Sequence, residues 1–128
     1  MTIYTSFPEF SSTLGENKRM MGLDYGEKKI GIAFGDATGT IASAYEVMQR
    51  QNMRKDFGYL TRIIREENVV AIVIGWPLTM QGKENEHCER VRAFATKITD
   101  KTNLPIYLQD ERFSTAAVTR ALQETEMT

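Results

Sequence analysis

Apolar and polar residues follow two different periods along this chain of 128 residues. From Ile30 to Phe34, apolar side chains recur at every second position, which is typical of a strand with one buried face. A short apolar run before them ends at Asp24 and Gly26. We expect the two segments to form a hairpin in which Gly26 turns the backbone with a positive φ. A third strand is predicted at residues 44–49, where apolar and polar positions alternate again.

The period then changes to that of a helix, because the apolar residues from Phe57 to Ile64 fall on one helix face. The continuous apolar run at 69–74 predicts a strand that is covered on both faces and lies at the centre of the sheet. A second helix is predicted over 85–99 and a short strand over 105–109. Ser114 is a favourable N-cap for a third helix.

The order of these elements predicts an α/β fold, a mixed five-stranded sheet with helices on its faces. An apolar content of 41% is enough for one core in one domain. Residues 1–19 are polar and follow neither period, so they are predicted to be a loose N-terminal extension. The folded domain is predicted to span residues 20–128.

Composition indicates the compartment in which the protein acts but does not identify a binding partner. The single cysteine excludes an internal disulfide, and no stretch approaches the roughly 20 apolar residues of a membrane span. We therefore expect a cytoplasmic protein that does not contact membranes. A net charge of −1 argues against a general nucleic-acid coat, but it allows a local basic patch beside an acidic site.

Acidic residues collect at the predicted strand ends. Of the five aspartates, Asp24, Asp36 and Asp110 take such positions. Groups at the carboxyl ends of neighbouring strands converge on one crevice, so Asp24 and either Asp110 or Glu111 could share Mg²⁺ or Mn²⁺ ions. The alternative is that the aspartates are ordinary turn formers and that Asp110 to Arg112 is a surface charge run.

Trp76 follows the predicted central strand and also has two interpretations. Its ring could stack on a nucleic-acid base or pack in the core.

Three separated segments of the chain together resemble one known family. They are Gly-Leu-Asp-Tyr-Gly-Glu-Lys-Lys-Ile-Gly-Ile-Ala at 22–33, Val-Ile-Gly-Trp-Pro-Leu at 73–78, and Asp-Glu-Arg-Phe-Ser-Thr at 110–115. In this order and spacing they resemble the YqgF (RuvX) family of Holliday junction resolvases, which are also proposed to be pre-16S rRNA nucleases. The resemblance covers about residues 20–127 and implies a ribonuclease-H-like fold.

The resemblance also implies roles for individual residues. The implied catalytic residues are Asp24, Glu111 and Asp110; Asp24 and Glu111 would hold Mg²⁺ or Mn²⁺, and Asp110 would support them. The implied substrate-binding residues are Lys28, Arg112, Ser114 and Thr115. Lys28 and Arg112 would contact phosphate, and Ser114 and Thr115 would cap the last helix or contact the nucleic-acid backbone.

The chain departs from the family pattern at two places. Trp76 stands where the family usually has Leu. The family continues with a basic stretch and a helix whose Asp completes the metal site, whereas this sequence ends at Thr128. We expect either a shortened sequence or a version that lacks this ligand.

The implied function is a metal-dependent nuclease that processes the 5′ end of pre-16S rRNA in ribosome biogenesis. Its implied partners are structured RNA or branched DNA and a ribosomal precursor, bound by a monomer or a homodimer. The alternatives are a Holliday junction resolvase and a non-catalytic nucleic-acid-binding module. An ATP-handling domain of the actin and sugar-kinase type is a further alternative, because those folds also open with an Asp-x-Gly hairpin.

Overall fold

The computed structural model describes residues 2–16, 19–35 and 41–110. Within them the chain alternates strands and helices, and one sheet collects the strands. In chain order the elements are β1 (Ile3–Tyr4), α1 (Phe7–Ser11), β2 (Met20–Tyr25), β3 (Lys29–Gly35), β4 (Ile41–Gln49), α2 (Met53–Glu66), β5 (Ala71–Trp76), α3 (Glu86–Thr102) and β6 (Ile106–Asp110).

The described strands form a mixed sheet in the order β1-β6-β5-β2-β3-β4. β2, β3 and β4 form an antiparallel meander, and β5 pairs in parallel with both β2 and β6. The predicted α/β class and mixed sheet are confirmed. Among the described residues the sheet has six strands where five were predicted, because Ile3 and Tyr4 pair in parallel with the edge of β6.

Different segments pack on the two faces of the sheet, because successive side chains along a strand point to opposite faces. Met21 and Leu23 of β2 point to the side that carries α2 and α3, which we call the helix face. Met20 belongs to a second apolar cluster on the opposite side, which we call the open face. β5 contributes buried residues to both clusters, as the apolar run predicted for a central strand.

Asparagine side chains fix where the two long helices begin. Asn52 accepts a hydrogen bond of 2.9 Å from the backbone N–H of Lys55 at the start of α2. Asn85 accepts one of 2.9 Å from the backbone N–H of Cys88 at the start of α3. These caps satisfy backbone donors that have no partner inside the helix. Cys88 is fully buried on the core face of α3.

The N-terminal segment is packed, so its prediction as a loose extension is wrong for residues 2–16. Phe10 in α1 is fully buried on the open face, in the same apolar cluster as Met20. Its ring stacks on Tyr107 of β6 at 5.5 Å between centroids. The sequence pattern missed this segment because one helical turn and two strand residues are too short to show a period.

Two predicted features lie outside the described residues, namely Asp36 and the helix that begins at Ser114. In the part of the chain that the structure describes, no helix has the length and apolar character needed to cross a membrane.

Candidate active site

Asp24 is the acidic residue around which the candidate site is built. It is exposed near the carboxyl end of β2, two positions beyond Gly22 and four beyond Met20. Side chains that are two residues apart share a face of a strand, so Asp24 belongs to the open face. Among the described residues, the N-terminal segment covers the part of this face around Met20, Val73 and Tyr107. Asp24 lies on the part of the face that the described residues leave uncovered.

The three parallel strands β2, β5 and β6 end at the same edge of the sheet. Leu23 is in register with Ile74, which places Asp24 beside Gly75, and Gly75 is in register with Gln109 of β6. Neighbouring strands lie about 4.8 Å apart, so β2 and β6 are separated by roughly 10 Å across β5. Because Gly75 has no side chain, the space between Asp24 and Gln109 stays open.

A crevice of ≈ 390 Å³ lies over this part of the open face. Its floor and walls include Gly22, Asp24, Gly31, Val47, Gly75 and Gln109. Val47 of β4 is 59% exposed at the rim. The three glycines keep the floor flat, and a Cβ added at Gly31 would touch the Asp24 Cβ at 3.4 Å. The crevice can admit an extended chain or a phosphate next to the carboxylate of Asp24.

Asp110 reaches the same edge of the sheet, but on the other face. It is exposed at the end of β6, where it is in register with Trp76. Its position alternates with Gln109 and has the parity of Leu108, a buried residue of the helix face. Of the other predicted site residues, Glu111, Arg112, Ser114 and Thr115 lie outside the described residues.

The donor set around Asp24 suits one kind of metal ion. Among the described residues, no group of three or more His, Cys, Asp or Glu side chains could hold a metal by itself. Mg²⁺ and similar hard cations are commonly held by one or two carboxylates, with water and substrate phosphate as the remaining ligands. An exposed aspartate on the open floor of a crevice fits that mode of binding.

Lys28, a predicted phosphate contact, is exposed in the turn of residues 25–28, which begins at the last residue of β2 and leads into β3. The prediction that Gly26 turns with a positive φ is wrong, since Gly82 is the glycine with positive φ among the described residues. The turn needs glycine for a steric reason instead. A Cβ at Gly26 would lie 2.6 Å from the carbonyl oxygen of Lys29, which is closer than real Cβ atoms come.

Arg50 is a site-adjacent residue that sequence reasoning missed. Its guanidinium lies under the same turn and contacts Tyr25, Gly26 and Asp56. Burial acts to lower the pKa of Arg50, but Tyr25 and Asp56 raise this pKa above its ordinary value. The side chain is therefore a fixed cation. No local sequence pattern marks Arg50 as part of the site, because it lies far along the chain from Asp24.

Trp76 packs in the core rather than facing the crevice. It is the last residue of β5, is 9% exposed and belongs to the apolar cluster of the helix face. The guanidinium of Arg92 lies 5.1 Å from the centre of its ring. The packing interpretation of Trp76 is therefore the one that the structure supports.

The fold and the acidic residue at the carboxyl ends of its parallel strands define a ribonuclease-H-like protein. Comparison with protein families then places the chain: residues 18–128 match the family model of RuvX, described as Holliday junction resolvase. The chain belongs to the RuvX family. It is thus a member of a family of nucleases, which hydrolyse phosphodiester bonds.

Curated relatives agree with this assignment. A protein of Ehrlichia chaffeensis named "Putative pre-16S rRNA nuclease" is 49% identical over 118 residues, which are 92% of this chain and 76% of that protein. Proteins with the same name from Wolbachia pipientis wMel and Anaplasma marginale are 48% and 44% identical, over 91% and 92% of this chain and 76% and 75% of theirs.

Solved structures overlap only in part. A Bacteroides thetaiotaomicron protein with actin-like ATPase fold has a TM-score of 0.46 at 12% identity, over 80% of this chain and 37% of that chain. The ROK hexokinase of Thermus thermophilus has a TM-score of 0.45 at 21% identity, over 73% and 34%. The chain therefore spans about a third of the length of these proteins.

Proposed function

We propose that this chain is a divalent-metal-dependent nuclease that cuts structured RNA at the crevice beside Asp24 and processes the 5′ end of pre-16S rRNA. The observation that carries the proposal is the position of Asp24. Its carboxylate is exposed at the carboxyl edge of the parallel strands, over a floor made of glycine. Oxygen ligands in an open crevice are what a hard cation and a phosphodiester need in order to meet.

The proposed second acidic ligand is Glu111, the role that the family resemblance implies for it, and the position of Asp110 argues against the alternative. Gln109 lines the crevice with Asp24, and Asp110 follows it at the end of β6. Successive residues of a strand point to opposite faces. Asp110 has the opposite parity, so its proposed role is to support the site from the helix face.

The remaining proposed roles concern the substrate. When bound, Mg²⁺ or Mn²⁺ supplies Lewis acidity and an activated water for attack on phosphorus. Lys28, exposed on the turn beside Asp24, binds a phosphate of the substrate backbone. Arg112, Ser114 and Thr115 keep the backbone-contacting roles that the family resemblance implies.

The name shared by the relatives favours precursor ribosomal RNA as substrate, and we place the reaction in the cytoplasm on the same ground. The description of the family favours a four-way DNA junction as a second candidate. A symmetric junction needs two related cuts, so this second function would require a homodimer.

The experiment that tests the proposal is a cleavage assay with two labelled substrates, a pre-16S rRNA precursor and a four-way DNA junction. Each is incubated with Mg²⁺, with Mn²⁺ and with a chelator. The proteins are the wild type, Asp24→Asn and Glu111→Gln, with Asp100→Asn as the matched control. Asp100 is exposed in the C-terminal half of α3, away from the crevice.

We expect the wild type and Asp100→Asn to cut the RNA precursor with either metal and not with chelator. Asp24→Asn and Glu111→Gln should lose this activity while remaining folded. Preferential cutting of the junction would favour the DNA junction over the RNA precursor as the substrate. Binding of RNA without metal-dependent cutting by the wild type would contradict the proposal and favour a non-catalytic binding module.

A further inference from the structure

Both the backbone and the side chain of Arg50 donate hydrogen bonds to the turn that follows Asp24. Its backbone N–H donates to the carbonyl oxygen of Lys28 at 2.9 Å. Its Nη1 donates to the hydroxyl of Tyr25 at 3.0 Å and to the carbonyl oxygen of Gly26 at 3.2 Å. One residue thus bonds three of the four residues of the turn. Hydrogen bonds from a charged donor are stronger than those between neutral groups.

The other end of the guanidinium is anchored to α2. Its Nε donates to Asp56 Oδ2 at 3.3 Å, and Asp56 Oδ1 accepts the backbone N–H of Gln51 at 3.0 Å. The Asp56 side chain is 4% exposed and that of Arg50 is 19% exposed, so water competes little for these contacts. Asp56 also lies in the first turn of α2, where the helix dipole favours a negative charge.

Aromatic rings complete the attachment to α3. The Tyr25 ring packs on Phe94 with centroids 4.8 Å apart. The guanidinium carbon of Arg50 lies 5.0 Å from the centre of the Tyr25 ring and 6.0 Å from that of Phe94. Such cation–ring contacts add to the hydrogen bonds. The turn is therefore tied to both long helices at once.

The two ends of this turn carry the groups that the proposed function needs. Asp24 immediately precedes Tyr25, and Lys28 closes the turn. Both side chains are exposed, whereas the contacts that fix their backbone are largely buried. Displacement of a catalytic group by about 1 Å can cost on the order of 100-fold in rate. A clamp beneath the turn is thus a direct way to set the position of both groups.

We propose that Arg50 is a positioning residue for the site at Asp24: its bonds to the turn of residues 25–28 hold Asp24 and Lys28 where they bind the divalent ion and the phosphate. This inference rests on the proposed function. It requires arginine in particular, because a planar fork of donors reaches Tyr25, Gly26 and Asp56 together. The single ammonium of lysine keeps the charge but cannot span these acceptors.

The test compares Arg50→Lys with Arg62→Lys, the matched control. Arg62 is exposed on α2 and pairs with Glu66 at 3.7 Å, away from the turn. Binding of Mn²⁺ to the protein without nucleic acid is measured from the paramagnetic resonance signal of the free ion. The kcat and KM for cleavage and the unfolding temperature are measured in parallel. Tyr25→Phe, which keeps the ring and removes one acceptor, serves if Arg50→Lys does not fold.

We expect Arg50→Lys to weaken Mn²⁺ binding and to lower kcat by about tenfold each, the size of effect that outer-shell partners of metal ligands have. Tyr25→Phe should give a smaller loss in the same direction, and Arg62→Lys none. A merely structural role would lower the unfolding temperature but leave the Mn²⁺ affinity of the folded protein unchanged.

Two negative results are distinguishable. If the wild type binds Mn²⁺ and cleaves, and Arg50→Lys does the same with unchanged affinity and kcat, the positioning role is overturned and the proposed function stands. The same holds if Arg50→Lys does not fold and Tyr25→Phe behaves as the wild type. A wild type that neither binds Mn²⁺ nor cleaves contradicts the proposed function and overturns the positioning role with it.

Discussion

Replacing Phe10 by alanine tests whether the N-terminal segment is part of the folded unit. Phe10 is fully buried between the open face of the sheet and the rings of Tyr4, Phe7 and Tyr107. Burying a phenylalanine side chain is worth about 1.5–3 kcal/mol in transfer free energy, and removal to alanine in cores costs about 3–5 kcal/mol when the cavity is included. Because this segment consists of only a two-residue strand and a five-residue helix, it can relax or undock, so we expect the lower end, about 3 kcal/mol.

The assay is chemical and thermal unfolding of the wild type and Phe10→Ala, with Met80→Ala as the control. For a domain of this size, 3 kcal/mol corresponds to a fall of roughly 10 °C in unfolding temperature. Met80 is 56% exposed in a loop, so its truncation should change stability by less than about 0.5 kcal/mol. A loss below about 1 kcal/mol for Phe10→Ala would refute the packed arrangement and favour a loose extension.

Three further predictions concern the turn, the pH dependence and the thiol. Gly26→Ala should destabilise the protein by about 1–3 kcal/mol and reduce cleavage, because its Cβ would lie 2.6 Å from a backbone oxygen. Gly58→Ala, in open space on α2, should instead stabilise the protein by up to about 1 kcal/mol. An equal change in the free energy of unfolding of the two variants in urea would contradict this prediction. The hydrogen bond to Glu46 raises the pKa of Tyr59 to about 12 from 10.0, so its stabilisation is complete below pH 10 and is lost between pH 10 and about 12. The stability difference between the wild type and Tyr59→Phe should narrow over that range, and a constant difference would speak against it. Burial raises the pKa of the Cys88 thiol, so a disulfide reagent at pH 8 should modify it more slowly in the folded protein than in guanidinium, and equal rates would be inconsistent with this burial.

The strong periodic segments of the chain could be predicted from sequence because burial imposes their period. The alternation from Ile30 to Phe34 and the helical stripe from Phe57 to Ile64 each record which face meets the core. The N-terminal segment could not be predicted, since its attachment depends on Phe10 finding a place beside Met20 on the far side of the sheet. Such long-range contacts leave no local pattern.

The candidate site also has one feature that could be predicted from the sequence and others that could not. The position of Asp24 between an apolar run and Gly26 is a local signal, and sequence reasoning found it. Two other features are properties of the assembled sheet: the gap that Gly75 leaves beside Asp24, and the clamp that Arg50 forms under the turn. They come from strand order and from pairing between distant residues, which a single sequence does not display.

The geometry also refines the choice among the acids. Sequence spacing alone made Asp110 and Glu111 equivalent candidates for a second ligand. Strand register shows that the Asp110 position alternates with the crevice-lining Gln109, which argues against Asp110 as the ligand. Glu111 is kept as the proposed ligand on the family resemblance alone.

The most direct test of the central claim is the single-turnover cleavage rate of a 5′-labelled pre-16S rRNA precursor in Mg²⁺, compared between the wild type, Asp24→Asn and Asp100→Asn. Loss of a metal-binding carboxylate should exceed the roughly 10–100-fold effects of outer-shell partners, so we expect Asp24→Asn to fall by more than about 100-fold. Asp100→Asn should match the wild type. If Asp24→Asn cleaves as fast as Asp100→Asn, the crevice beside Asp24 is not the active site.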